Sequence, residues 1–320
     1  MDIVFLFSLF NFLILIFHEL IFSKIAIYDL NSKNKIHLSG GIIIMTNFIL
    51  LCIFYYLNII SDFFFNFSCI LLILSFFFLG LVDDKFKLNP FLRLVIMIFF
   101  LIIFFQSDKN FLIQDLNFSF HFYKDIFSAN LLISKIFTIF CILAFLNALN
   151  FFDGINLQVI IYATLILLYL NYVNHSNVLI VLSISLMFFL YLNYKNISYL
   201  GDSGVYFLSI VISLIVIEFH NKKLIYADQI IFLFLIPGVD MIRLFFERIL
   251  NNKSPMTGDT NHIHHLLKNK FKRKAVVYVL LLCFAPILFF HLKISKIIIL
   301  TLTLLFYLIL IFKLKKYEVK

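Results

Sequence analysis

The chain has 320 residues, of which 63% are hydrophobic and 13% charged, with a mean hydropathy of +1.06 and a net charge of +9. A soluble domain is nearer half apolar and a quarter charged, so composition excludes an ordinary soluble globule. No soluble basic region exists to hold nucleic acid, and the positive balance suits anionic lipid headgroups or an anionic substrate instead.

Apolar runs long enough to cross a hydrocarbon core of roughly 30 Å predict an all-α, polytopic integral membrane protein with about eleven transmembrane helices. They start near Ile3, Ile42, Phe63, Pro90, Leu131, Asn156, Val178, Val205, Gln229, Ala275 and Ile294. The first, Ile3 to Phe22, lacks a basic start and a small-residue cleavage site, so it reads as a membrane helix rather than a removed signal peptide. An odd number of spans puts the two ends on opposite sides. With the N-terminus outside, most of the 26 Lys and Arg fall on the inner side, leaving Lys109, Lys124, Lys222, Lys223, Lys293 and Lys296 outside. The positive-inside rule therefore predicts the N-terminus outside and the C-terminus in the cytoplasm. Residues 1–320 read as one membrane-embedded domain, with a large cytoplasmic loop at 243–274. Cys52, Cys69, Cys141 and Cys283 are scattered in apolar segments without ligand spacing and read as small buried hydrophobes.

Four polar motifs interrupt these runs, all on the predicted inner face. LGLVDDKF ends the third span with Asp83 and Asp84. Adjacent carboxylates repel unless a cation is near, so the pair fits a metal ligand beside a base, or an ordinary charged helix end. In NALNFFDG, Asn147, Asn150 and Asp153 recur every three residues and share a helix face. Such oxygens suit Mg²⁺, and they equally suit polar glue between helices. GDSG places Asp202 between Gly201 and Gly204 at the start of the eighth span, where backbone N–H groups face an anion and Asp202 reads as a metal ligand or an N-cap. HIHH brings His262, His264 and His265 into the basic 243–274 segment with Arg248, Lys253 and Lys268. Their spacing matches no common zinc motif. It leaves an anion-binding loop or a solvated basic one.

In this order and topology, GLVDD, NxxNxxDG, GDxG and HxHH resemble the polyprenyl-phosphate N-acetylhexosamine-1-phosphate transferases of the glycosyltransferase family 4 type. The likeness runs from about Asp29 to Leu267 and includes Asp29, Lys35, His37 and Gly40-Gly41 in the first inner loop. It also takes in Asp240, Arg248, Ser254 and Pro255 of VDMIRLFFERILNNKSP. The resemblance implies transfer of a sugar 1-phosphate from a UDP-N-acetylhexosamine to undecaprenyl phosphate, with release of UMP. Mg²⁺, or Mn²⁺ in its place, would be held by Asp202 and Asn150. Asp83 would deprotonate or orient the lipid phosphate, and Asp84 would support metal or nucleotide. Asp153 and Tyr199 would hold uracil. Lys35, His262, His264 and His265 would hold phosphates, with His37, Asn147 and Arg248 also binding substrate. Implied too are the bacterial inner membrane, an active site on its cytoplasmic face, and, by analogy, an open question of a homodimer.

His-Ile-His-His followed by Leu266 sits closer to the branch that starts O-antigen, common-antigen or teichoic-acid linkage glycans from UDP-GlcNAc than to the phospho-MurNAc-pentapeptide branch of peptidoglycan synthesis. The chain departs from the family at Asn156, where a second Asp is common, at Leu157, where a Gly is common, and at Thr260, where many members have Arg. A flippase for a polyprenyl-linked glycan is the rival class. It calls for polar groups at mid-membrane, where this chain has Phe, Ile and Leu.

Overall fold

A backbone in hydrocarbon must satisfy its own N–H and C=O groups, which makes long apolar runs helical. The computed structural model describes residues 3–22, 28, 36–120, 122–123, 130–254, 261–292 and 294–318. In chain order the elements are α1 (Ile3–Phe22), α2 (Gly40–Tyr56), α3 (Phe67–Phe86), α4 (Pro90–Ser107), a short antiparallel pair β1 (Leu116–Asn117) and β2 (Phe122–Tyr123), α5 (Leu131–Phe152) and α6 (Gln158–Val173). Then follow α7 (Asn177–Tyr194), α8 (Gly201–Asn221), α9 (Ala227–Leu250), α10 (Ile263–Phe271), a single 3-10 turn (Lys272–Lys274), α11 (Ala275–Phe290) and α12 (Lys296–Glu318). Among the described residues nine helical stretches are long and apolar enough to cross a membrane, and α2 and α6 are shorter apolar helices. Together they account for the eleven predicted spans. The molecule is an all-α polytopic membrane protein.

Two starts differ from expectation for one reason, capping. α3 begins at Phe67 rather than near Phe63, because the Asn66 side chain accepts from the Cys69 N–H. α8 begins at Gly201 rather than near Val205, because a carboxylate from another helix caps it, as described below. Within the segment expected as a loop at 243–274, α9 continues to Leu250 and α10 occupies Ile263–Phe271.

The bundle is built around α8. Its apolar window is 94% buried, against 17% for α1 and 22% for α4 and α12, the mark of a helix apolar all round. α2, α3 and α5 pack directly on it. The α3–α8 contact is backbone-close: a Cβ built on Gly80 would lie 2.4 Å from Ser203 Cα. Contacts also sort the helix ends. At one end Gly40 N–H donates to Tyr199 O (3.1 Å) and Gly41 N–H to Leu200 O (3.0 Å), joining the entries to α2 and α8. At the other, Asp62 accepts from Asn177 N–H (2.7 Å) and Asn66 donates to Asp108 (2.5 Å). All four polar motifs gather at the first end.

Candidate active site

The turn into α8 is the pivot of this end. Gly201 has φ +74°, a left-handed conformation that glycine adopts without strain, and a Cβ there would stand 2.8 Å from Asp84 Oδ2. Into that space α3 inserts Asp84, whose two oxygens accept from the N–H groups of Asp202 (2.7 Å) and Ser203 (3.1 Å). Asp84 is thus the cap of α8, delivered from a neighbouring helix. A negative charge at a helix N-terminus is also favoured by the helix dipole.

Asp83 is committed in a different way. Its buried carboxylate accepts from Leu88 N–H (2.8 Å), from Arg93 Nη1 on α4 (2.9 Å) and from Tyr206 Oη on α8 (2.5 Å). One side chain therefore ties together the ends of three helices. Three donors, one of them cationic, supply the compensation that a buried carboxylate needs.

Asp153 and Asp202 remain. Neither side chain accepts a hydrogen bond from any described residue, and both line a cavity of about 490 Å³ with Asp83, Asp84, Tyr199, Lys87 and Lys268. Asp153 follows the last residue of α5 and opens onto this cavity. Asp153 is exposed to the cavity, and partial desolvation by the surrounding protein, followed by the charge of Asp84, shifts its carboxyl pKa upward.

The floor of the cavity is an amide lock. Leu157 N–H donates to Asn193 Oδ1 (2.7 Å), Asn193 Nδ2 donates to Ser198 O (3.0 Å), and Asn156 donates to Asn196 (2.5 Å). Leu157 sits at φ 75°. The position where the proteins it resembles commonly have glycine is thus a left-handed one.

Behind the cavity stands α10. Asp240 on α9 accepts from His262 Nδ1 (2.9 Å), Ile263 N–H (3.2 Å), Arg243 Nη2 (2.8 Å) and Tyr307 Oη on α12 (2.7 Å). Arg243 also donates to Tyr307 (2.8 Å) and to Glu247 (2.9 Å), and Lys315 reaches Glu247 (2.8 Å). Above this hub runs a column in which Arg248 lies 5.5 Å from the Phe151 ring, Phe151 stacks on His262 at 5.7 Å, and His262 stacks on His264 at 5.3 Å. His264 is fully buried, and a Cβ on Gly154 would fall 2.0 Å from its Nε2 and 2.8 Å from that of His265. The glycine of NALNFFDG is therefore the surface against which the HIHH histidines rest.

The structure brings five of the expected residues to the cavity wall: Asp83, Asp84, Asp153, Tyr199 and Asp202. Others sit elsewhere. Asn147 turns back to Leu143 O (2.8 Å), and His37 contributes main chain, its O accepting from Tyr199 N–H (2.8 Å) while its ring meets Tyr28 at 4.6 Å. Asn150, Arg248, His262, His264 and His265 do not line the cavity; the last four form the wall behind Gly154. Lys35 lies outside the described residues, as do Asp29, Pro255 and Thr260. Sequence reasoning did not place Lys87 or Asn193 in the site, or Tyr307 behind it. Lys87 adjoins a recognised motif and was legible; Tyr307, in an apolar span with no motif around it, carries no local signal.

No group of three or more His, Cys, Asp or Glu among the described residues is arranged to hold a metal ion. Mg²⁺ does not ask for a preformed protein cage, since it takes one or two carboxylates and completes its shell with water and substrate phosphate. Two unengaged carboxylates facing one polar cavity fit such an ion.

No curated protein matches the chain significantly. The glycosyl transferase family 4 model matches residues 66–220, slightly less than half of the chain, and that stretch carries Asp83, Asp84, Asp153 and Asp202. At this coarser level the match supports a membrane-embedded sugar-phosphate transferase.

Proposed function

We propose that the protein transfers an N-acetylhexosamine 1-phosphate, with GlcNAc as the default sugar, from its UDP derivative to undecaprenyl phosphate. The observation that carries this reading is the pairing of two carboxylates that accept no hydrogen bond from a described residue with two lysines around one cavity at the membrane edge. An oxygen of the acceptor phosphate bonds to the phosphorus next to the sugar. The bond from that phosphorus to the bridging oxygen breaks, and UMP leaves with the electron pair. The product is a lipid diphosphate sugar that begins a cell-surface glycan.

Asp153 and Asp202 would hold Mg²⁺, which when bound neutralises the diphosphate as its bridge breaks. Lys87 and Lys268 bring positive charge to both phosphate groups. Tyr199, fixed by main-chain bonds to His37 and Gly40, offers a ring for the uracil. We assign Asp84 to holding the α8 turn, and Asp83, already accepting three hydrogen bonds, to fixing Arg93 and Tyr206. The lysine and arginine bias supports a cytoplasmic location for this end of the bundle, where nucleotide sugars are made.

The test is UMP release by purified protein given undecaprenyl phosphate, Mg²⁺ and a panel of UDP-N-acetylhexosamines. Release with one donor, abolished in Asp202→Asn and Asp153→Asn, is expected. Folded protein that releases no UMP with any donor sinks the reading.

A further inference from the structure

A second large cavity lies away from the site, on the far side of α10. It measures about 630 Å³ and runs between α11 and α12, walled by Leu267, Phe271, Tyr278, Leu281, Phe289 and Phe306 among others. From Tyr278 to Phe289 a helix rises roughly 16 Å, about the depth of one membrane leaflet. The groove is thus as long as a single acyl chain.

The end of it nearest α10 is predominantly basic. Lys270, Lys272, Arg273 and Lys274 cluster at the α10 end and Lys313, Lys315 and Lys316 at the matching end of α12, against Glu247, which pairs with Lys315, and Glu318. Lys270 adjoins the wall residue Phe271, its Nζ 5.3 Å from the centre of that ring and 5.1 Å from that of Tyr317. Lys268, which faces the catalytic cavity, lies two residues earlier, nearly the opposite side of the same helix. An anion at Lys270 is therefore separated from the reacting phosphates by the width of α10.

We propose that this groove is a binding site for an anionic glycerophospholipid, with one acyl chain between α11 and α12 and its headgroup phosphate at Lys270. Seated there, the lipid supports α10 from the side opposite the catalytic cavity. Charge complementarity over a long apolar groove favours this occupant, whichever sugar the protein transfers.

The chain contains no Trp, so Phe306→Trp gives a single fluorescent reporter at an exposed position inside the groove. In phosphatidylcholine bilayers, quenching by brominated phosphatidylglycerol is compared with quenching by brominated phosphatidylcholine. A preference of about fivefold for the anionic lipid is expected from one surface lysine. It should vanish in Lys270→Gln and return in Lys270→Arg. Equal quenching by both lipids means annular lipid only and overturns the proposal. So does quenching that undecaprenyl phosphate relieves and unbrominated phosphatidylglycerol does not, since the groove would then seat the acceptor's chain.

Discussion

At the scale of single residues, the turn into α8 shows how sequence position and role separate. The two aspartates of LGLVDDKF are neighbours in the chain, yet one caps a distant helix and the other fastens three helix ends. That division follows from helix geometry, because adjacent residues point about 100° apart. Gly201→Ala forces a left-handed alanine against Asp84 and should cost about 2 kcal/mol or more, read as a lowered Tm in detergent. Leu157 offers the reverse case. It holds a left-handed φ with a side chain, so Leu157→Gly relieves strain of about 1 kcal/mol while losing some packing and backbone order. We expect a Tm that is unchanged or higher, and a clear fall would show that Leu157 packing outweighs its strain. The acidic residues were legible from sequence because charge at a membrane edge is conspicuous. Which of them stay unengaged was not, since that depends on Arg93, Tyr206 and two backbone N–H groups brought in by folding.

At the scale of elements, Asp83 makes α3, α4 and α8 one unit. Arg93→Met removes the cation and leaves a buried carboxylate, at a cost of about 3–5 kcal/mol. The double variant Asp83→Asn with Arg93→Met should recover part of that loss, because no charge is then stranded. Chemical unfolding of the two variants checks this, and additive losses would show that the ion pair is not the link. The spans themselves were readable, since long apolar runs leave a membrane chain little choice. Boundaries were less so. Asn66 signals the start of α3 locally, but the start of α8 is written on α3, and no window along α8 contains it.

For the whole molecule, the cavity wall depends on a hub that draws Asp240 and Arg243 from α9, His262 from the α10 entry and Tyr307 from α12. Tyr307→Phe removes one hydroxyl that serves both Asp240 and Arg243. A loss of about 1–2 kcal/mol is expected, with a raised KM for the proposed nucleotide-sugar donor because Lys268 rides on α10. An unchanged KM would detach the hub from the site. The histidines and Asp240 carry the family resemblance, whereas the tyrosine that completes their network lies in a plain apolar span.

That hub also sets an order of events during synthesis. Asp240, Arg243 and His262 leave the ribosome well before Tyr307, so α10 is first held by α9, Phe151 and Gly154 without the tyrosine. Its last fastening arrives only when α12 has entered the bilayer. A half-made chain therefore has its carboxylates in place but lacks a settled wall behind them, and catalytic competence comes late, with the insertion of α12.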